Sequence, residues 1–111
     1  MVETDEKGGH DSGWMTDEYL RRISLAIDNV KRIIEKFGDK YSVVVMADHG
    51  GHDRSHGTTM HEDMTVPFFF YGKDFTAGEL TQPISLLEIA PTIVKIMGID
   101  ADSDWDGRAI F

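Results

Sequence analysis

The stretch that decides the fold is residues 41–51, Tyr-Ser-Val-Val-Val-Met-Ala-Asp-His-Gly-Gly. Its first part, 41–46, is a β-branched run without polar alternation after its start, which is typical of a strand buried on both faces by helices. The sequence therefore predicts a central strand over 41–46. Asp48 and His49 follow it directly, at the end of the strand where open α/β sheets bind their ligands.

An amphipathic helix is predicted before this strand, from Thr16 to Phe37. Apolar residues recur there at steps of three and four, namely Ile23, Ile27, Val30, Ile34 and Phe37. Thr16 is a candidate N-cap, and Gly38 is a candidate C′ residue after the last apolar position. The preceding polar residues 1–14 contain Gly-Gly and Asp-Ser-Gly, which favour turns, so they are predicted to be a loop.

A second strand and a second helix are predicted after the central strand. The apolar run 66–71 is a strand that ends at Gly72, and a mostly polar segment of eighteen residues, 48–65, precedes it. Ser85 and Glu88 have the spacing of a capping box that opens a helix ending at Gly98. Pro91 lies inside this helix, so it either kinks the helix or moves its start to a later residue.

The composition is typical of one soluble globular domain, and we expect residues 1–111 to form a single domain. The net charge of -9 argues against binding to a nucleic-acid backbone. No apolar run reaches the roughly 20 residues of a membrane span, and the first residues lack the pattern of a secretory signal. The chain has no cysteine. We therefore expect a cytoplasmic protein without disulfides, in which any metal binds to His, Asp or Glu.

The polar segment 48–63 concentrates the groups that can bind a metal. It contains four of the five histidines of the chain and four carboxylates. An adjacent Asp and His at a strand end can both face one cation, and Gly50-Gly51 allows the backbone to bend behind them. This placement favours a metal-binding role for Asp48 and His49 over a position in a solvated surface loop.

The same segment carries a resemblance to a known family. Ala47-Asp-His-Gly-Gly51, Ser55-His-Gly57 and Glu62-Asp-Met-Thr-Val-Pro67 resemble the closing motif block of the alkaline phosphatase superfamily, of the type I phosphodiesterase/nucleotide pyrophosphatase kind. The resemblance assigns Asp48 and His49 to the metal that activates the nucleophile. It assigns His56 to the other metal. His61 is a rival, because related metallo-mutases place a ligand histidine five residues before a similar Val-Pro.

The resemblance also assigns ligands to the N-terminal segment. The family has an Asp-x-x-x-His pattern there, and His10 matches its histidine. Asp5 stands five residues before His10 and Glu6 stands four, with an extra glycine between. We select Asp5 by residue type, with Glu6 as its rival. The expected metal ligands are therefore Asp5, His10, Asp48, His49 and His56.

The resemblance implies the C-terminal part of a larger α/β/α sandwich, a partial alkaline-phosphatase-like sheet with flanking helices. It implies two divalent metal ions, with zinc expected and manganese or magnesium as alternatives. The implied reaction is hydrolysis of a phosphodiester or nucleotide pyrophosphate. The Ser or Thr nucleophile of the family belongs to an N-terminal half that nothing in this chain matches. No catalytic residue is therefore assigned, and the isolated chain is expected to be catalytically incomplete.

Two alternatives to this hydrolase remain open. The chain could be part of a metallo-phosphomutase, which a ligand role for His61 instead of His56 would favour. It could also be an inactive metal-binding or structural remnant. The expected partner in each enzyme is a small phosphate ester, and the exposed sheet edge would favour self-association or pairing with a missing N-terminal half.

Overall fold

A computed structural model describes residues 3–111, which form two compact units: one ends at Phe75 and the other spans Thr76–Phe111. The first unit contains a π-helix Glu3–His10, helix α1 Asp17–Phe37, strand β1 Val43–Met46, helix α2 His61–Met64 and strand β2 Phe68–Tyr71. The second contains a 3₁₀ turn Leu86–Glu88 and helix α3 Ile89–Ile96. No helix among the described residues is long and apolar enough to cross a membrane. This mixture of helices and a small sheet agrees with the predicted partial α/β fold.

The N-terminal segment is helical over residues 3–12, so the loop predicted over residues 1–14 is wrong there. Residues Glu3–His10 wind as a π-helix. Gly8 and Gly9 are buried in it rather than placed in an exposed turn. The pair of glycines permits close packing here, because a Cβ at Gly9 would overlap the ring of Trp14.

Helix α1 begins where the sequence predicts. The Thr16 hydroxyl accepts a hydrogen bond from the Tyr19 amide at 3.3 Å, which is the expected N-cap contact. Gly38 follows the last helical residue in a right-handed conformation. This glycine therefore serves close packing rather than a left-handed cap, since a Cβ there would overlap the ring of Tyr71.

The sheet of the described residues has two strands. Strands β1 and β2 are antiparallel, with Val43 paired to Tyr71 and Met46 paired to Phe68. No residue of β1 is fully buried. The prediction of a central strand buried on both faces is therefore wrong for the residues described, because β1 has a sheet neighbour on one edge only.

The long polar connection between the strands is partly ordered by its own contacts. His52 and Ser55 form a short antiparallel bridge, and α2 follows near the end of the segment. The amide of Gly50 donates to the Asp63 carbonyl at 2.8 Å, and the amide of Gly51 donates to the Glu62 carbonyl at 3.0 Å. The connection therefore folds back on α2 directly after the Asp48-His49 pair.

The second unit confirms the predicted capping box. The Ser85 amide donates to the Glu88 carboxylate at 2.7 Å, and the Ser85 hydroxyl accepts from the Leu87 amide. The α-helix itself starts at Ile89, so Pro91 falls in its first turn, where no backbone donor is needed. Gly98 ends the helix with a φ of 71°, a left-handed conformation that favours glycine.

Candidate metal centre

Three predicted ligands, Asp5, His10 and His56, meet in the first unit. One ligand atom from each lies within 4.8 Å of the other two. The Asp5 Oδ1 atom is 3.7 Å from His10 Nε2 and 3.8 Å from His56 Nε2. These distances are too long for hydrogen bonds, so the three groups surround a common point without satisfying one another.

The winding of the π-helix brings Asp5 to His10. Residues five apart are neighbours along a π-helix, whereas residues four apart are neighbours along an α-helix. The extra residue between Asp5 and His10 is thereby accommodated. Among the described residues, the cluster contains Asp5 and not its rival Glu6.

A divalent metal fits the chemistry of this cluster. Asp5 Oδ1 is covered from solvent and has no hydrogen-bond partner among residues 3–111, an arrangement that is costly unless a cation or another donor reaches the oxygen. One carboxylate and two imidazoles are a common zinc ligand set. Two ligands about 2.0–2.1 Å from one tetrahedral zinc would lie about 3.3 Å apart, slightly closer than the spacing observed. Small side-chain rotations would therefore complete the site.

The hydrogen bond of His10 to Arg54 leaves its Nε2 atom available as a metal ligand. His10 Nδ1 lies 2.9 Å from the carbonyl oxygen of Arg54, and a carbonyl can only accept, so Nδ1 carries the proton. Nε2 is then the nitrogen with a free lone pair, and it faces Asp5. Such a backbone contact to the second ring nitrogen fixes the orientation of a ligand histidine.

Asp48 and His49 lie beside the cluster and are not members of it. His49 stacks on His56 with ring centroids 3.8 Å apart and an interplanar angle of 18°. Its Nδ1 donates to the Gly50 carbonyl at 2.7 Å, while Nε2 lies 3.9 Å from Asp48 Oδ2. The Asp48 side chain is 92% exposed. The structure therefore places this predicted pair next to the cluster, with its carboxylate open to solvent.

The rival His61 lies outside the cluster, on α2. Its ring nitrogens are 3.2 and 3.4 Å from the hydroxyl of Thr65. The structure thus groups His56, and not His61, with Asp5 and His10. The sequence criterion that linked His61 to a mutase therefore does not identify the reaction.

Trp14 is a site residue that sequence reasoning missed. Its ring lies 5.3 Å from that of His10 and 5.8 Å from that of His56, in edge-on geometry. A Cβ at either Gly9 or Gly51 would overlap this ring. Its backbone amide also donates to the Asp53 carbonyl at 2.7 Å. Trp14 therefore joins the π-helix to the loop that carries His56, and a bulky aromatic among glycines was the available signal.

Asp63 is the second residue that sequence reasoning missed. Its side chain is 2% exposed. His52 Nδ1 donates to its Oδ1 at 2.7 Å, and this hydrogen bond lowers the pKa of Asp63 to about 2 although burial opposes the change. The same contact raises the pKa of His52. His52 is thus an internal contact of the loop, and its only sequence signal was a histidine eleven residues before an Asp.

Comparison with known proteins corrects the predicted reaction. The chain is 34% identical to the 2,3-bisphosphoglycerate-independent phosphoglycerate mutase of Clostridium kluyveri, over 86% of this chain and 18% of the relative. It is 33% identical to the mutase of that name from Bacteroides thetaiotaomicron, over 84% of this chain and 19% of the relative. The chain thus spans about a fifth of the length of these relatives. No solved structure gives a significant match.

These relatives are named as isomerases and not as hydrolases. The predictions of a phosphodiesterase, a nucleotide pyrophosphatase and a hydrolase are therefore wrong, and the metallo-phosphomutase alternative is the better supported one. The Asp-His-Gly block is shared by both kinds of enzyme, which is why it did not separate them.

The wider superfamily that the motifs indicated is confirmed. The profile described as "Metalloenzyme superfamily" matches residues 1–101. Since this match covers nearly all of the 111 residues, the chain belongs to the metalloenzyme superfamily.

Proposed function

We propose that this chain forms the metal-binding part of a metallo-phosphomutase, an isomerase of the 2,3-bisphosphoglycerate-independent phosphoglycerate mutase type. The names of the relatives support the reaction class. The observation that carries the chemistry is the covered Asp5 Oδ1, which has no hydrogen-bond partner in the described part of the chain and faces the Nε2 atoms of His10 and His56. Membership of a metalloenzyme superfamily implies that divalent metal binds, and this cluster is where we place it.

Each residue of the cluster has a separate role in the proposal. Asp5 supplies a negatively charged oxygen, and His10 and His56 supply neutral nitrogens. His10 is held in the required tautomer by the Arg54 carbonyl. Zinc is the metal we propose, because two imidazoles and a carboxylate suit it, while manganese and magnesium favour oxygen-richer sites. When bound, the metal supplies charge that neutralises phosphoryl oxygens.

Asp48 and His49 are proposed as ligands of a second metal beside the first. His49 Nε2 is the free nitrogen of its ring, because Nδ1 donates to the Gly50 carbonyl. The exposed Asp48 carboxylate lies on the same side, 3.9 Å from that nitrogen. Asp48 and His49 supply only two ligands, so the second metal also needs ligands from groups outside the cluster.

The proposed substrate is a small phosphate ester such as the phosphoglycerate of the relatives' name. A bound cation would supply local positive charge for such an anion in a chain whose net charge is -9, so we propose that the metal takes part in substrate binding as well as in the reaction. We also propose pairing with the segments that carry the nucleophile. Large apolar residues on more than one side of α1 are half exposed and leave apolar surface for such pairing, including Leu25, Ile27 and Ile33.

Calorimetric titration of the metal-stripped chain with zinc tests the metal centre. We expect one zinc site in the native chain, loss of that site in His56→Ala, and retention of it in the matched variant His61→Ala. Equal binding by both variants would remove His56 from the ligand set. Absence of zinc binding by the native chain would contradict the proposed site in this chain.

A complementation assay tests the reaction class. The chain is joined to the N-terminal part of one of the mutase relatives, and conversion between phosphoglycerate isomers is followed. Isomerisation that needs Asp5 and His56 supports the mutase. Zinc binding without turnover in this chimaera would instead support a metal-binding remnant.

A further inference from the structure

Asp63 is a buried carboxylate whose two oxygens both accept hydrogen bonds from the loop. His52 Nδ1 donates to Oδ1 at 2.7 Å. The Thr58 amide and hydroxyl both donate to Oδ2, at 2.8 and 2.7 Å. Hydrogen bonds to a charged acceptor are about twice as strong as those between neutral groups, so the three contacts restrain the loop strongly.

The backbone around Asp63 adds a second set of contacts. Its carbonyl accepts from the Gly50 amide at 2.8 Å, one residue after His49. Thr58, bound by the side chain, lies two residues after His56. Asp63 therefore holds both ends of the loop segment that separates the two stacked histidines.

The stacking of His49 on His56 depends on this attachment. The rings lie 3.8 Å apart, and between them the chain reverses through the His52–Ser55 bridge. The buried Asp63 side chain contacts His52 within this reversal and Thr58 after it. Loss of the carboxylate would leave the donors of Thr58 without their acceptor and free the segment that carries His56.

We infer that Asp63 is a positioning residue for the metal centre, which acts by holding His56 in place through His52 and Thr58. The inference rests on the proposed function, because it assumes that His56 binds metal. Asp63 itself does not belong to the cluster of Asp5, His10 and His56. Its effect is therefore transmitted through the loop and not through a bond to the metal.

The variant Asp63→Asn tests this role with little change in shape. Its neutral amide turns N–H groups either toward Thr58, where they oppose two donors, or toward His52, whose Nδ1 must then lose its proton to accept, and in both cases the charge that strengthens these hydrogen bonds is removed. We expect zinc affinity to fall by about 10- to 100-fold, the range typical of residues that support a ligand without binding the metal. Glu62→Gln is the matched control, because it makes the same charge change at an exposed position on the same helix.

Two measurements separate positioning from simple destabilisation. Thermal unfolding of the metal-free variants shows how much stability is lost without metal. The absorption spectrum of the cobalt-loaded chain reports the ligand geometry, and it should shift in Asp63→Asn while that of Glu62→Gln stays unchanged. If Asp63→Asn fails to fold, Thr58→Val removes the hydroxyl contacts to Asp63 and to the Met60 amide but keeps the contact from the Thr58 amide, and a smaller fall in zinc affinity in the same direction is expected.

The outcomes distinguish this inference from the proposed function. If the native chain binds no zinc, the proposed metal centre fails and the inference fails with it. If the native chain binds zinc and both Asp63→Asn and Thr58→Val bind it as tightly as Glu62→Gln, with unchanged cobalt spectra, the metal centre stands and the positioning role of Asp63 is overturned.

Discussion

Asp5 Oδ1 lies 3.7 Å from His10 Nε2 across one turn of a π-helix, although five positions separate the two residues in the sequence. A π-helix is rare and occurs mostly as single turns at functional sites, which is consistent with a role in placing these two groups. The winding also decides which carboxylate joins the cluster, because Asp5 faces His10 and His56 and its neighbour Glu6 is not part of it.

Asp5→Asn should therefore weaken zinc binding far more than Glu6→Gln. The Asp5 change removes the negative ligand, and we expect a loss of affinity of at least about 100-fold, beyond the range of supporting residues. Glu6→Gln makes the same change of charge one residue away and should bind zinc nearly as the native chain does. Competition with a chromophoric chelator measures both, and a larger effect of Glu6→Gln would show that the segment winds differently.

Gly9→Ala should destabilise the first unit. The new methyl group would overlap the Trp14 ring, and overpacking of this kind costs about 1–3 kcal/mol. Gly78→Ala is the control, since a Cβ at Gly78 meets no atom within 4 Å. Urea unfolding followed by tryptophan fluorescence measures the difference. Equal midpoints for the two variants would show that the ring can move away freely.

Thr92→Val should loosen the C-terminal tail of the second unit. The Thr92 hydroxyl is buried, donates to the Glu88 carbonyl at 2.6 Å and accepts from the Ile110 amide at 3.0 Å. Valine keeps the shape but leaves that amide unpaired, at a cost of about 1–3 kcal/mol. Hydrogen exchange at the Ile110 amide should accelerate, whereas the exposed Thr81→Val should leave it unchanged. Unaltered exchange in Thr92→Val would mean that the tail is held by other contacts.

The stability of α1 should depend on pH through the carboxylate of Glu18. Arg21 donates two hydrogen bonds to this carboxylate, both at 2.8 Å, and they lower the pKa of Glu18 to about 2. A pKa lowered in the folded state gives stability that is present above the ordinary value and is lost as the pH falls through about 2. Glu18→Gln should therefore lower the melting temperature at pH 7, with the difference from the native chain vanishing near pH 2.

The matched variant Glu35→Gln removes an exposed carboxylate from the other end of α1. Its melting temperature should follow that of the native chain more closely at neutral pH. A difference for Glu18→Gln that persisted unchanged to pH 2 would mean that the contact with Arg21 does not depend on the charge of Glu18.

The features predicted correctly from the sequence are those that neighbouring residues specify. Thr16 caps α1, and Ser85 with Glu88 forms the capping box, because each contact spans two or three positions and needs only local backbone geometry. Gly98 ends α3 for a similar local reason. The hydrogen bonds at these helix ends are made within the local segment and need no tertiary contact.

The features predicted wrongly depend on residues far apart in the sequence. Gly8-Gly9 reads locally as a turn, and the pair became helical because Trp14 packs against it and the Arg54 carbonyl binds His10 from the distant loop. The burial of Asp63 likewise depends on His52 and Thr58. No local pattern distinguishes such a buried carboxylate from an exposed one.

The chemistry of the candidate site was predictable to the level of metal and superfamily. Asp48, His49 and the later histidines stand in a motif block whose residue types suit a divalent metal, and that inference needs no knowledge of the substrate. The reaction was not predictable from this block, since hydrolases and metallo-phosphomutases share it. The choice between His56 and His61 as the ligand histidine did not identify the reaction either.

The packing of the Trp14 ring against Gly9 and Gly51 also limits which substitutions these positions can accept during evolution. Gly9 belongs to the π-helix and Gly51 to the loop after β1, yet a larger residue at either one is compatible only with a smaller side chain at position 14. The three positions cannot drift independently, so neutral change in one segment is limited by the state of the other. Recombination between divergent copies that separated position 14 from position 51 would break this match, even when each parental segment is sound.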